Sequence, residues 1–360
     1  MTGVTTPGLH RCSETAGPTP LGTSLQRLPW RTIDLHCHMA VPAVEAMVAD
    51  QPARIAQAAA EATAIGPQSL AVNAGQMAAL APRLTGVAER LADMDAMGVD
   101  IQVVSPSPTQ YHYWAGEDLA EEIAGGINAA IAEACAAHPD RLLALGTVSL
   151  QHPERAARQL ERLMRNERFK GVEISSLVAG RDIADRFFDP FWQKADELGA
   201  VVFIHPWGTT LGARLADHYL MNTIGQPFET TVCLSKLIFS GALDRYPEVK
   251  IVAAHGGGYL PMYGGRSDHA HAVRPEAGGC ACRPTDYLRR LWFDSLAHDP
   301  HQLARLIDQV GADRIVLGTD YPFDMGHYAP GPLLAVFDAA DQRRIAGGNA
   351  EMLLGLPPQP

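Results

Sequence analysis

The chain has 360 residues and 47% of them are hydrophobic, enough for a full buried core and incompatible with a disordered or collagen-like chain. Its 29 Lys and Arg against 40 Asp and Glu leave a formal net charge of −11. Nucleic acid and anionic membrane surfaces both call for basic residues, so neither is expected as a partner, whereas an anionic small molecule stays open because a bound cation can reverse the local field.

Residues 1–30 are rich in Thr, Pro and Gly and show no period, so they read as a disordered or extended N-terminal tail. No basic stretch leads into an apolar leader, and no run reaches the roughly 18 apolar residues of a membrane span. The six cysteines (Cys12, Cys37, Cys135, Cys233, Cys280 and Cys282) are scattered, which suits reduced thiols and a cytoplasmic protein better than a disulfide framework.

From residue 31 to 360 one pattern repeats without a linker. Short apolar runs at 32–38, 101–105, 142–149, 171–175, 201–205, 249–255, 291–294 and 315–320 read as strands. Helical patterns lie between most of them, at 118–137, 153–166, 188–198, 229–243 and 300–310. Eight strands alternating with helices predict a single α/β domain, a (β/α)8 TIM barrel. Several strands are apolar throughout, as strands buried on both faces are. Residues 51–90 are Ala-rich and helical in pattern, and fit best as an insert after the first strand that roofs the barrel mouth.

The chemistry gathers at strand ends. The first strand closes on Ile33-Asp34-Leu35-His36-Cys37-His38, and residues i and i+2 of a strand share a face. His36 and His38 therefore make half of a metal site, although 14 histidines give roughly half an HxH by chance. His269 and His271 have the same spacing in a helical stretch, where side chains two apart diverge. Other strand ends carry His205-Pro206, His255 followed by Gly256, Gly257 and Gly258, Asp294, and Asp320-Tyr321-Pro322. In a barrel these ends share one rim, and unpaired they would each cost several kcal/mol in an apolar strand. A cation gathering them explains them together. Three imidazoles and a carboxylate suit Zn²⁺, with Mn²⁺ or Fe²⁺ also admissible, and the expected ligands are His36, His38, His205 and Asp320. His255 is left to act as a general base on water held by the cation. Asp294 is expected to orient His255 or a water.

Taken with Arg90-Leu-Ala-Asp-Met-Asp-Ala-Met-Gly-Val-Asp100, His205-Pro206-Trp207, Leu237-Ile-Phe-Ser-Gly-Ala-Leu243 and Gly318-Thr-Asp-Tyr-Pro-Phe323, these motifs resemble the amidohydrolase superfamily, and within it the aminocarboxymuconate semialdehyde decarboxylase-like branch. The resemblance runs from about Thr32 to near Leu354. It implies a mononuclear metal at His36, His38, His205 and Asp320, a catalytic His255, and pocket walls at Trp207 and Phe323. It also implies that Arg266 crosses from one subunit of a homodimer to hold a substrate carboxylate in the other. A second substrate-binding arginine of that branch has no counterpart: Ala78 falls near its place, and Arg83 is offset. The end of the 171–175 strand, Val172-Glu173-Ile174-Ser175, lacks the lysine that bridges binuclear relatives. The implied activity is metal-dependent, non-oxidative decarboxylation of a small unsaturated or aromatic carboxylic acid, with catalysis by His255 and with Asp320 as an alternative proton donor for a phenolic substrate. Metal-dependent hydrolysis of a lactone or amide, or hydration of an unsaturated acid, is the alternative on the same scaffold.

Overall fold

The structure is a computed structural model that describes residues 19–358. Cys12 and residues 1–18 of the expected tail lie outside the described residues. Ten strands form among the described residues: β1 (Ile33–Met39), β2 (Ile101–Pro106), β3 (Leu142–Gly146), β4 (Phe169–Ile174), β5 (Leu177–Val178), β6 (Arg181–Asp182), β7 (Val201–Ile204), β8 (Lys250–Ala253), β9 (Trp292–Asp294) and β10 (Ile315–Val316). Eight of them make one parallel sheet in the order β1-β2-β3-β4-β7-β8-β9-β10, and β5 with β6 is a small antiparallel hairpin. The sheet closes on itself after β10. Leu35 N donates to Leu317 O at 2.9 Å, Asp320 N to His36 O at 2.8 Å and His38 N to Tyr321 O at 2.8 Å. This is the (β/α)8 barrel that the strand–helix alternation predicts.

Burial on both faces explains the apolar strands. Val202 and Ile204 pack outward with Phe191, Trp192, Leu234 and Leu237 of the helical shell. Val201 and Phe203 pack instead with Val103, Leu145, Val252 and Ala254. His205 continues the parity of Phe203 and so enters the barrel. The same alternation puts Cys37 and Met39 outside, against Ile123, Ile127 and Ile131, and turns His36 and His38 inward.

The helices in chain order are α1 (Pro42–Val48), α2 (Pro52–Ile65), α3 (Pro67–Thr85), α4 (Ala88–Met97), α5 (Glu117–Ala137), α6 (Pro153–Met164), α7 (Asp189–Leu198), α8 (Gln226–Phe239), α9 (Ala242–Arg245), α10 (Leu260–Val273), α11 (Pro284–Leu288) and α12 (Pro300–Val310), with short helical turns after them. The expected single helix over 229–243 is two helices. Gly241 at φ +67° breaks it, and a Cβ there would lie 2.7 Å from Gly279 O. The strands expected over 249–255 and 315–320 also stop early. His255 (φ +54°) and Asp320 (φ +59°) sit in the left-handed region, which takes their side chains out of the ladder and over the barrel mouth.

Candidate metal centre and active site

His36, His38, His205 and Asp320 converge from β1 and from the tips after β7 and β10. One ligand atom from each lies within 4.8 Å of all the others, and all four residues are buried. His36 Nε2 is 3.1 Å from His38 Nε2. Asp320 Oδ1 is 3.3 Å from the first and 3.2 Å from the second. His255 stands beside them, its ring 4.9 Å from that of His205 and its Nε2 3.8 Å from Asp320 Oδ2.

Each imidazole is turned by what lies behind it. His36 Nδ1 donates to Asp294 Oδ2 at 2.6 Å and His38 Nδ1 to Pro106 O at 3.1 Å, so both Nε2 lone pairs face the centre. Behind His38 also lie Glu173 Oε2, at 3.4 Å from Nδ1, and Tyr111, whose hydroxyl donates to Glu173 Oε1 at 2.7 Å. Asp34 fastens the first strand to the last. It accepts from Thr319 N at 3.0 Å, Thr319 Oγ1 at 2.7 Å and Gln102 Nε2 at 2.9 Å. Gly318 is small because a Cβ there would lie 2.8 Å from the Cβ atoms of both His36 and Asp294.

This donor set fits a divalent cation. Both ring nitrogens of His205, and Asp320 Oδ1, are buried without a hydrogen-bond partner, a condition that costs roughly 1–3 kcal/mol per group unless something else binds them. Burial, followed by the neighbouring imidazoles of His38, His255 and His36, holds His205 well below the ordinary histidine range and therefore neutral, as a ligand must be. Burial acts on His36 in the same direction, but the Asp320 and Asp294 carboxylates outweigh it and push His36 up to about 10. For Asp320, burial would raise the carboxyl, yet His36, His255 and His38 keep it well below the usual carboxylate range. Carboxylates that hold a proton on a buried imidazole this firmly demand positive charge at the centre, which a metal ion meets.

Above the centre lies a cavity of about 310 Å³, with His205, His255 and Asp320 at its base. Trp207 and Phe323 line its walls, and the Phe323 ring is 5.5 Å from the His38 ring. Helices α2 and α3, which occupy the stretch read as an insert, supply Ile65, Leu70, Asn73, Gln76, Met77 and Leu80. Glu61 of α2 accepts the Trp207 indole N–H at 2.8 Å.

Most of the residues singled out in the sequence are thus brought together. Arg266 is not among them within one chain: it is exposed on α10, outside the cavity lining, and has no hydrogen bond or ion pair among the described residues. Arg83 donates to Asp93 at 2.7 Å instead of facing the cavity. His271 donates to Cys280 O at 3.1 Å and, with His269, belongs to α10, away from the centre. Asp294 meets the His36 ring and the backbone N–H of His255, not the His255 ring. Glu173 enters the sequence reading only as a position without lysine, although a carboxylate ending an apolar strand is itself a signal. No local signal marked Glu61.

The barrel with a mixed His and Asp centre at its strand tips defines the amidohydrolase class, and the chain belongs to that family, whose profile matches residues 33–356. Among its relatives, 2-amino-3-carboxymuconate-6-semialdehyde decarboxylase of Dictyostelium discoideum is 35% identical over 276 residues, covering 75% of this chain and 76% of that protein. Gamma-resorcylate decarboxylase of Rhizobium sp. (strain MTP-10005) is 30% identical over 283 residues, covering 74% and 86%. Of solved structures, 5-carboxyvanillate decarboxylase from Sphingomonas paucimobilis superposes with a TM-score of 0.79 at 26% identity, over 91% of this chain and 100% of that one. Dihydroxybenzoic acid decarboxylase from Polaromonas sp. JS666, solved with manganese and the inhibitor 2-nitroresorcinol, gives 0.77 at 26% identity, over 91% and 97%.

Proposed function

We propose that this protein is a metal-dependent, non-oxidative decarboxylase, a carbon–carbon lyase acting on a small unsaturated or aromatic carboxylic acid. One observation carries the reading: three histidines and Asp320 converge within 4.8 Å at the base of a cavity, with His255 beside them. Kinship with decarboxylases over three quarters of the chain supports it. The donor set suits Zn²⁺ and equally Mn²⁺ or Fe²⁺, and the manganese in a solved relative supports a divalent first-row ion. When bound, the cation supplies positive charge where negative charge develops as CO2 leaves.

The chain's own residues hold the substrate and move the proton. Trp207 and Phe323 flank a planar acid and exclude water from it. The substrate carbon takes a proton, the electron pair of its bond to the carboxylate stays with that carbon, and CO2 departs. His255 is the group that moves this proton. Its backbone N–H is anchored at 2.9 Å on Asp294, which fixes where the ring stands. The ionised Asp320 at 3.8 Å holds the imidazolium charge and can pass the proton on for a phenolic substrate. Arg266, exposed on α10, reaches into the cavity of a second copy in a homodimer and pairs with the substrate carboxylate. Five cysteines without a disulfide among the described residues, and no described helix long and apolar enough to cross a membrane, support placing the enzyme in the cytoplasm.

The test is release of CO2 from a panel of small unsaturated and aromatic acids by the metal-loaded protein. Hydrolysis or hydration products without CO2 would replace this reading by the alternative chemistry. His255→Ala is expected to keep its metal and lose turnover. Mixing Arg266→Ala subunits with His255→Ala subunits should restore part of the activity if the arginine works across subunits.

A further inference from the structure

We infer that Gln226 is a further substrate-contacting residue, whose side-chain amide hydrogen-bonds a polar group of the acid seated over the metal centre. The inference rests on the decarboxylase reading above and adds a residue to its site. Among the described residues lining the cavity, the buried side-chain atoms without a hydrogen-bond partner are both ring nitrogens of His205, Oδ1 of Asp320, Nδ1 of His255 and Oε1 of Gln226. The cation accounts for His205 and Asp320, and His255 moves the proton. Gln226 alone is left without a task. It is 6% exposed, and its Nε2 reaches only Met221 Sδ, at 4.0 Å. A buried amide paired so poorly is costly unless a ligand pairs it.

The backbone holds the amide at this place. Met221–Gly225 form a π-helical turn ahead of α8, and Gln226 N donates to Met221 O, five residues back rather than four. Such turns are rare and gather at functional sites. Gly225 lets this one press against the segment after β7, since a Cβ there would lie 2.9 Å from Thr209 Cβ. Gln226 lines the substrate cavity and also an adjoining recess of about 500 Å³, and the two share Asn222, His255, Asp320 and Met325. It therefore borders the same space as the reacting groups. An amide offers a donor at one end and an acceptor at the other, and a half-turn exchanges them, so it can meet an O–H, an N–H or a carbonyl oxygen. An acid held only at the metal can still swing about that contact. A second hydrogen bond removes this freedom and sets the carbon that loses CO2 against His255.

The experiment titrates 2-nitroresorcinol and 4-hydroxy-3-methoxy-5-nitrobenzoate calorimetrically into manganese-loaded wild type and Gln226→Met protein. Each probe carries several polar atoms along one edge, so some stay free whichever of them meets the ion. Methionine keeps the length of the side chain and removes the amide. Whichever probe the wild type binds is expected to bind the variant about tenfold more weakly. Manganese affinity in a chelator competition should stay within about threefold of wild type, and the metal-free protein should melt no lower, because no firm hydrogen bond within the protein is lost. Equal probe affinity in the two proteins, or a loss matched by an equal loss of manganese affinity, overturns the inference and leaves the decarboxylase reading standing. A wild-type structure with the probe bound must show the Gln226 amide hydrogen-bonded to it. An amide paired there only with water or protein overturns the inference even if the variant fails to fold. If the wild type binds neither probe the inference falls, and the CO2-release panel decides separately whether the decarboxylase reading falls with it.

Discussion

Replacing Asp294 by Asn changes one oxygen to an NH2 and should disable the metal centre from behind. Asp294 is fully buried and takes four donors. Oδ1 accepts from Gly256 N at 2.8 Å and Leu296 N at 3.2 Å, and Oδ2 from His36 Nδ1 at 2.6 Å and His255 N at 2.9 Å. In Asp294→Asn the carbonyl oxygen can serve one pair only. With the NH2 on the Oδ2 side, His36 must accept at Nδ1 and therefore carry its proton on Nε2, the nitrogen that faces the centre. The His255 N–H then loses its acceptor, at a cost of about 1–3 kcal/mol. Loss of such an outer partner typically costs 10–100-fold in metal affinity. Competition with a chromophoric chelator should thus show manganese or zinc binding weakened by about 10–100-fold, and urea unfolding of the metal-free protein should show about 1–3 kcal/mol less stability. Metal affinity within about threefold of wild type would refute the claim that Asp294 sets the His36 tautomer.

Two glycine substitutions should move in opposite directions. Gly318→Ala would set its Cβ 2.8 Å from His36 Cβ and Asp294 Cβ and is expected to lower metal affinity and thermal stability together; Gly125→Ala, exposed in α5 with open space around it, should gain about 0.5–1 kcal/mol in urea unfolding. Because His36 is pushed up to about 10, it holds a proton at pH 7 in the metal-free protein, and metal uptake must release it. Calorimetry in buffers of different ionisation enthalpy should find at least about one proton released per ion, since, although burial opposes it, the Glu173 and Asp320 carboxylates also raise His38, with affinity falling as pH is lowered; no release would contradict the charge assignment. Glu61→Ala should free the Trp207 indole and raise KM about fivefold at nearly constant kcat, the sign of lost positioning rather than lost chemistry, with Glu61→Gln restoring it. An unchanged KM would show that Glu61 does not position Trp207 for the substrate.

The amino-acid order by itself determined the barrel and the candidate centre. Strand period is local, so the inward parity of His36 with His38 and of His205 with Phe203 followed from spacing, and each apolar run ended on a polar group where a barrel rim would be. Tertiary structure alone decided what stands behind those groups. His36 finds Asp294 258 positions away, and Arg83, offset in sequence from the place of the missing substrate-binding arginine, is bound to Asp93. The break at Gly241 is enforced by a contact distant in sequence, since a Cβ there would lie 2.7 Å from Gly279 O, whereas the left-handed tips at His255 and Asp320 stand where glycine or proline closely follows in the sequence. The cavity wall of α2 and α3 was legible as helix but not as a wall, because which face of a helix meets a ligand depends on packing that its own period does not specify.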